Sequence, residues 1–141
     1  MTTLRLTRPE PTEAQVLKTV LRVLELHPLV GRVWRMNTGA GQLVRGKGVS
    51  QWVKFGFAGS PDIHGYMKDG RALYCEVKRP SGTVSKEQSE FIEEAVLNGC
   101  FAFVARSADD VIKHLNGLQK NKTPASLERS GALINDTQGG I

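Results

Sequence analysis

Ser60-Pro61-Asp62-Ile63-His64-Gly65-Tyr66-Met67-Lys68-Asp69-Gly70-Arg71-Ala72-Leu73-Tyr74-Cys75-Glu76-Val77-Lys78 reads as two strands, Ile63 to Met67 and Ala72 to Lys78, joined by a turn containing Asp69-Gly70. That dipeptide between two apolar runs predicts an antiparallel hairpin. Side chains alternate across a strand, so Glu76 and Lys78 share one face while Leu73, Cys75 and Val77 take the other, apolar one. The loop length decides where Asp62 falls. With Lys68-Asp69-Gly70 as a three-residue loop and Gly70 left-handed, Met67 pairs with Arg71 and Asp62 lies opposite Glu76; a two-residue Asp69-Gly70 loop puts the two acids on opposite faces. Opposed residues have Cβ atoms about 4.5 to 5.5 Å apart, close enough for two carboxylates to share one hard cation. Two carboxylates holding Mg²⁺ or Mn²⁺ suit phosphodiester hydrolysis. The cation polarises a phosphoryl oxygen and lowers the pKa of a bound water, and a lysine alongside orients that water or neutralises developing charge.

Upstream, Thr12-Glu13-Ala14-Gln15 predicts a helix start, with Thr12 as N-cap and Gln15 at the reciprocal capping-box position. Val16, Leu17, Val20, Leu21 and Leu24 recur at helical spacing until His27-Pro28 and Gly31 end the run. Arg32 to Asn37 reads as a strand, the glycine-rich residues 38–51 as a long loop, and residues 52–57 as a short strand. Downstream, Pro80-Ser81-Gly82 breaks the chain, and Ser85-Lys86-Glu87-Gln88 repeats the capping-box pattern ahead of Phe91, Ile92, Ala95 and Val96. Gly99 stops that helix, Cys100 to Ala105 is an apolar run of strand length, and Ser107 caps a last helix. The expected order is helix, three strands, helix, strand, helix: an α/β domain with a mixed sheet flanked by helices. Residues 118–141 are polar with no sustained period and read as a flexible tail, leaving 1–117 as one domain.

The chain has 141 residues, 40% apolar and 23% charged, an ordinary globular composition. No stretch approaches the ~18 apolar residues of a membrane span, and Arg5, Arg8 and Glu10 stand where a signal peptide needs an apolar run. A cytoplasmic protein, of a prokaryotic or virus-infected cell, is the expectation. Cys75 and Cys100 each sit in an apolar run without CxxC spacing, so buried reduced thiols are expected. The net charge of +5 is concentrated in residues 31–61, where Arg32, Arg35, Arg45, Lys47 and Lys54 stand with no acid at all. Trp34, Trp52, Phe55 and Phe57 lie among them. A local basic field with interleaved rings suits a polyanion such as nucleic acid, through phosphate neutralisation and stacking; the alternative is a solvated basic loop beside two buried tryptophans. The glycines at 39, 41, 46 and 48 make no phosphate-binding loop, since Gly48 follows Lys47 where a hydroxyl is required.

Ser60-Pro61-Asp62-Ile63 followed by Tyr74-Cys75-Glu76-Val77-Lys78 resembles the PD-(D/E)xK nuclease motif. With Gly59 ahead of it, Ser85-Lys86-Glu87-Gln88 and Phe91 behind it, and Gly99 before the apolar strand, the chain resembles more narrowly the virus-type replication-repair nuclease (VRR-NUC) domain over residues 12 to about 116. The resemblance implies a restriction-endonuclease-like fold. It also implies Asp62, Glu76 and the Val77 main-chain carbonyl as metal ligands, Lys78 as the catalytic lysine, and Glu13 and Gln88 as completing the site. Read on their own, Glu13 is either a site residue on the apolar helix face or an acid favoured in a helix's first turn, and Gln88 is either a site residue or simply the capping-box partner of Ser85. His64 shares the face of Asp62 and is either near the metal or a hydrogen-bonded structural histidine.

These readings predict a Mg²⁺-dependent endonuclease acting on DNA. No base-reading helix or zinc finger appears, so selectivity should come from DNA shape. Nuclease domains of this family that stand alone resemble junction resolvases acting as two-fold dimers, which makes a structure-selective homodimer cutting four-way junctions the first expectation. Residues 43–57 are expected to form part of an isologous interface, and Arg35, Arg45, Lys47 and Lys54 to contact DNA. The alternatives are a flap or nicking nuclease, or a non-catalytic basic nucleic-acid-binding module.

Overall fold

A computed structural model describes residues 7–37 and 39–120, with Arg45, Val49 and Ser50 described by their backbone only. The elements are α1 (Glu13–Leu26), β1 (Val30–Arg35), β2 (Gly39–Arg45), β3 (Val49–Phe55), β4 (Ile63–Met67), β5 (Ala72–Val77), α2 (Lys86–Leu97), β6 (Phe101–Ala105) and α3 (Ala108–Lys120). The chain divides into a unit ending at Val111 and a second one beginning at Ile112, and the sheet belongs to the first.

Both capping boxes form. Thr12 Oγ1 accepts from the Gln15 backbone N–H while the Gln15 side chain accepts from the Thr12 N–H, and Ser85 and Gln88 repeat the arrangement at the start of α2. α1 then buries Val16, Leu17, Val20 and Leu24 as one stripe, packing on β1 and β5. A four-stranded sheet in the order β1-β4-β5-β6 is antiparallel from β1 to β5 and parallel between β5 and β6. β5 is therefore interior, and its Leu73, Cys75 and Val77 are fully buried beside Ile63 and Met67. α2 covers the opposite face, over β5 and β6. The result is a mixed sheet between helices, a restriction-endonuclease-like α/β arrangement.

Two expectations are corrected. Five strands, not three, precede α2, because residues 38–51 hold most of a hairpin: β2 and β3 pair from Gly39 with Phe55 to Arg45 with Val49. Glycine depresses strand propensity in isolation, but pairing supplies what the side chains do not. Phe55 lies against Gly41, where an added Cβ would meet its ring at 3.3 Å. The polar stretch from residue 118 continues α3 as far as Lys120; the rest of the expected tail, 121–141, lies outside the described residues. Both cysteines are free thiols, Cys75 buried and Cys100 half-buried.

Candidate active site

The turn has the geometry on which the two acids depend. Met67 N–H donates to the Arg71 carbonyl at 2.8 Å, Gly70 has φ +90, and β4 and β5 pair from Tyr66 with Ala72 to Ile63 with Cys75. One step further along that register Asp62 lies opposite Glu76. The Asp62 carboxylate is fixed by accepting the Val77 backbone N–H at 2.8 Å on Oδ2.

Glu76 is 2% exposed, a carboxyl group buried at the end of an interior strand. Its Oε1 accepts from Gln88 Nε2 at 2.6 Å and stands 3.5 Å from Lys78 Nζ, while Oε2 is buried with no hydrogen-bond partner. Burial raises its pKa from 4.5 to about 7; Asp62 adds to the rise, and the Lys78 ammonium opposes it. Two acids forced together in a poorly solvated place, with one oxygen unsatisfied, form a site short of positive charge. That donor set fits a hard divalent cation, which takes carboxylate and carbonyl oxygens. Among the described residues no group of three or more His, Cys, Asp or Glu side chains is arranged to hold a metal. A cation here would be held by two carboxylates, with further oxygens from the main chain and solvent.

The surroundings position this group. Gln88 makes two contacts at once: its Oε1 accepts from the Ser85 N–H at 2.9 Å while its Nε2 donates to Glu76, so the cap of α2 is tied to that carboxyl group. Gly59 has φ +85, and a Cβ there would collide with the Glu87 carbonyl, so only glycine lets the chain pass the start of α2 before reaching Asp62. Beyond Lys78, Glu10 accepts from both the backbone N–H and the hydroxyl of Ser81, tying the segment before α1 to the loop that follows β5. His64 stacks edge-on against Tyr74 at 5.1 Å, and Tyr74 against Phe91 at 5.1 Å. Burial lowers the His64 pKa, opposed by a backbone hydrogen bond with Pro61, and its Nε2 is buried without a hydrogen-bond partner among the described residues. Desolvation and the neighbouring carboxylates push the Cys75 thiol up, which keeps it protonated.

Other expected residues take no part in this hydrogen-bonded group. Glu13 is exposed in the first turn of α1, not buried on its apolar face, because it precedes the buried stripe and water reaches it; it makes none of the contacts of the Asp62 and Glu76 group. Arg35 pairs with Ile63 and so projects on the face opposite Asp62. Lys47 and Lys54 are exposed on the β2–β3 hairpin; the side chain of Arg45 lies outside the described residues. Trp52 and Phe55 fall on opposite faces of that hairpin, and both are exposed, at 71% and 47%. Neither tryptophan is buried. Arg32 and Trp34, from the basic aromatic segment, and Tyr66, which the sequence reading did not single out, share the face of Asp62 through the pairings Arg32 with Tyr66 and Trp34 with His64. The alternation 62, 64, 66 along β4 was the signal that could have found Tyr66.

A mixed sheet between helices, with Asp62 just before β4 and Glu76 and Lys78 at the end of the neighbouring β5, is the arrangement of a nuclease domain of the PD-(D/E)xK type. The chain belongs to the VRR-NUC domain family, whose sequence pattern matches residues 12–109. No curated protein matches it. No helix among the described residues is long and apolar enough to cross a membrane.

Proposed function

We propose that this protein is a Mg²⁺-dependent, structure-selective DNA endonuclease that cuts branched DNA such as four-way junctions as a homodimer, in the cytoplasm of a prokaryotic or virus-infected cell. The observation that carries the hydrolytic reading is the buried pair Asp62 and Glu76 with an unsatisfied Glu76 oxygen and Lys78 beside it. Asp62, Glu76 and the Val77 carbonyl would hold the ion, Mn²⁺ being a possible substitute for Mg²⁺. When bound, it supplies Lewis-acid polarisation of the phosphodiester and a more acidic water. The chain's own residues do the rest. Val77 N–H and Gln88 fix the two carboxylates, and the ammonium of Lys78 neutralises charge developing on the phosphoryl oxygens. Glu13 is proposed to join this group once substrate is bound, and Arg35, Arg45, Lys47 and Lys54 to contact phosphates.

Dimerisation is proposed because one centre of this kind cuts one strand, whereas resolving a junction takes two cuts related by symmetry. The hairpin face bearing Leu43, Val53 and Phe55 is an apolar surface suited to an isologous contact. The test is cleavage of labelled branched and linear DNAs with and without Mg²⁺. Wild-type protein should cut branched DNA only with the metal, and Glu76→Ala and Lys78→Ala should each lose several orders of magnitude of rate yet stay folded and bind DNA. Retained cleavage in both purified variants would sink the assignment. Cutting by a strictly monomeric protein would favour a flap or nicking nuclease.

A further inference from the structure

The face of the sheet that carries Glu76 is covered on one half only. α2 lies over β5 and β6, and Tyr74 is closed off by Phe91. On β4 and the edge strand β1, the side chains of that same face are open: Trp34 is 43% and Tyr66 46% exposed, and Arg32 is exposed beside them. The register brings these three together, since Arg32 pairs with Tyr66 and Trp34 with His64, the neighbour of Asp62 on this face.

Tyr66 is held in place by the backbone. The pairing of β1 with β4 slips between Val30 and Arg32, and at the bulged Gly31 an added Cβ would lie within 2.6 Å of two atoms of the Tyr66 ring. Any side chain at position 31 would displace that ring, so glycine lets it lie across the edge strand with its outer face to solvent. Large rings on an edge strand of a protein sheet are ordinarily covered. Here Trp34 stands on the edge strand within residues 31–61, a segment with five cations and no acid, and Tyr66 lies beside it on β4.

We propose that Trp34 and Tyr66, with Arg32 on the same face, form a stacking platform for unpaired bases of the DNA strand that enters the Asp62 and Glu76 site. This rests on the DNA-nuclease reading and gives it a means of recognising branched substrates, since exposed base faces distinguish a branch point from a closed duplex. Aromatic rings take any base, and a guanidinium neutralises the adjoining phosphate. The spacing suits this. Trp34 lies opposite His64, which is two residues from Asp62, or about 7 Å along the strand; that is about two stacked bases at roughly 3.4 Å each. A base on Trp34 therefore belongs within about two nucleotides of the phosphate at the carboxylates.

The experiment is binding in metal-free buffer, where no strand is cut, with three probes: oligothymidylate, a blunt duplex, and a duplex with unpaired thymidines at its centre. Trp34→Ala should weaken binding to the two probes with unpaired bases about tenfold, leave the blunt duplex within about twofold, and be rescued by Trp34→Phe. Trp34 and Trp52 are the only tryptophans, so in a Trp52→Phe protein the fluorescence reports Trp34 alone. Oligothymidylate should quench it and blunt duplex should not, a readout that needs no change at position 34. Unchanged affinity for unpaired bases, an equal loss on all three probes, or no quenching overturns the platform. A changed sedimentation mass in Trp34→Ala would assign the patch to a second copy of the chain and also overturn it. Quenching by a protein that cuts no DNA with any divalent metal would leave the platform standing and remove the nuclease reading instead.

Discussion

Glu76 is where sequence, burial and chemistry meet. Its folded pKa, about 7, lies above its ordinary value of 4.5, so the folded metal-free protein holds that proton more tightly than the unfolded chain does. Stability is then fully present below about pH 4.5, declines as pH rises, and levels off above about pH 7, a loss on the order of 3 kcal/mol. Glu76→Gln should flatten this profile, measured by urea unfolding without metal between about pH 5 and about pH 8. A slope unchanged in the variant would place the titration elsewhere. A cation must displace the same proton. Binding of Mg²⁺ or Mn²⁺ at about pH 6 should release close to one proton, read by calorimetry in buffers of different ionisation enthalpy, and Glu76→Gln should release none. The acid pair was legible as one of two outcomes of the turn length, and the three-residue turn of the structure fixes the parity of everything on β4 and β5. The exposure of Glu13 was not, since periodicity gives the face of a helix but not how far along it the sheet extends.

At the scale of elements, α2 couples its own cap to the site. Ser85→Ala and Gln88→Ala each remove one arm of the capping box, each costing about 1 kcal/mol. Only Gln88→Ala also releases Glu76, so its cleavage rate should fall well below that of Ser85→Ala at equal folding; equal rates would reduce Gln88 to a cap. Gly59→Ala combines a strained φ with a collision against the Glu87 carbonyl. It should destabilise the domain by more than about 1 kcal/mol and slow cleavage by displacing Asp62, with thermal melting and rate measured on the same preparation. On the β2–β3 hairpin, Lys47→Ala and Lys54→Ala should each lower the slope of log affinity against log salt by about one, whatever the DNA sequence. An unchanged slope in the double variant would place the DNA elsewhere. Among the glycines that obscured this hairpin in the sequence, Gly41 is the position where a ring from the other strand, Phe55, takes the place of a side chain.

For the whole molecule, the proposal is two-fold assembly. Sedimentation at micromolar concentration should give twice the chain mass, and a charge introduced at Leu43 or Phe55 should return it to a monomer that cuts one strand of a junction and leaves the other. A dimer mass that survives both substitutions would move the interface off this face of the hairpin. The open half of the sheet beside Asp62 and the basic hairpin then offer a branched DNA two surfaces on one protomer.

The sequence left the turn between β4 and β5 at two or three residues, and the structure decided it. What the sequence determined by itself is governed by short range: two capping boxes, the apolar stripe of α1, and the alternation that puts Glu76 with Lys78. Each depends on residues within a few positions, where bond geometry leaves few choices. The tertiary structure alone decided what depends on distant partners. β1 returns to pair with β4, which sends Arg35 to the far face and brings Trp34 to the near one; α2 lands so that Gln88 reaches Glu76; and Glu76 loses its water. Those outcomes follow from packing between segments far apart in the chain, and local pattern carries no information about which distant surface will arrive.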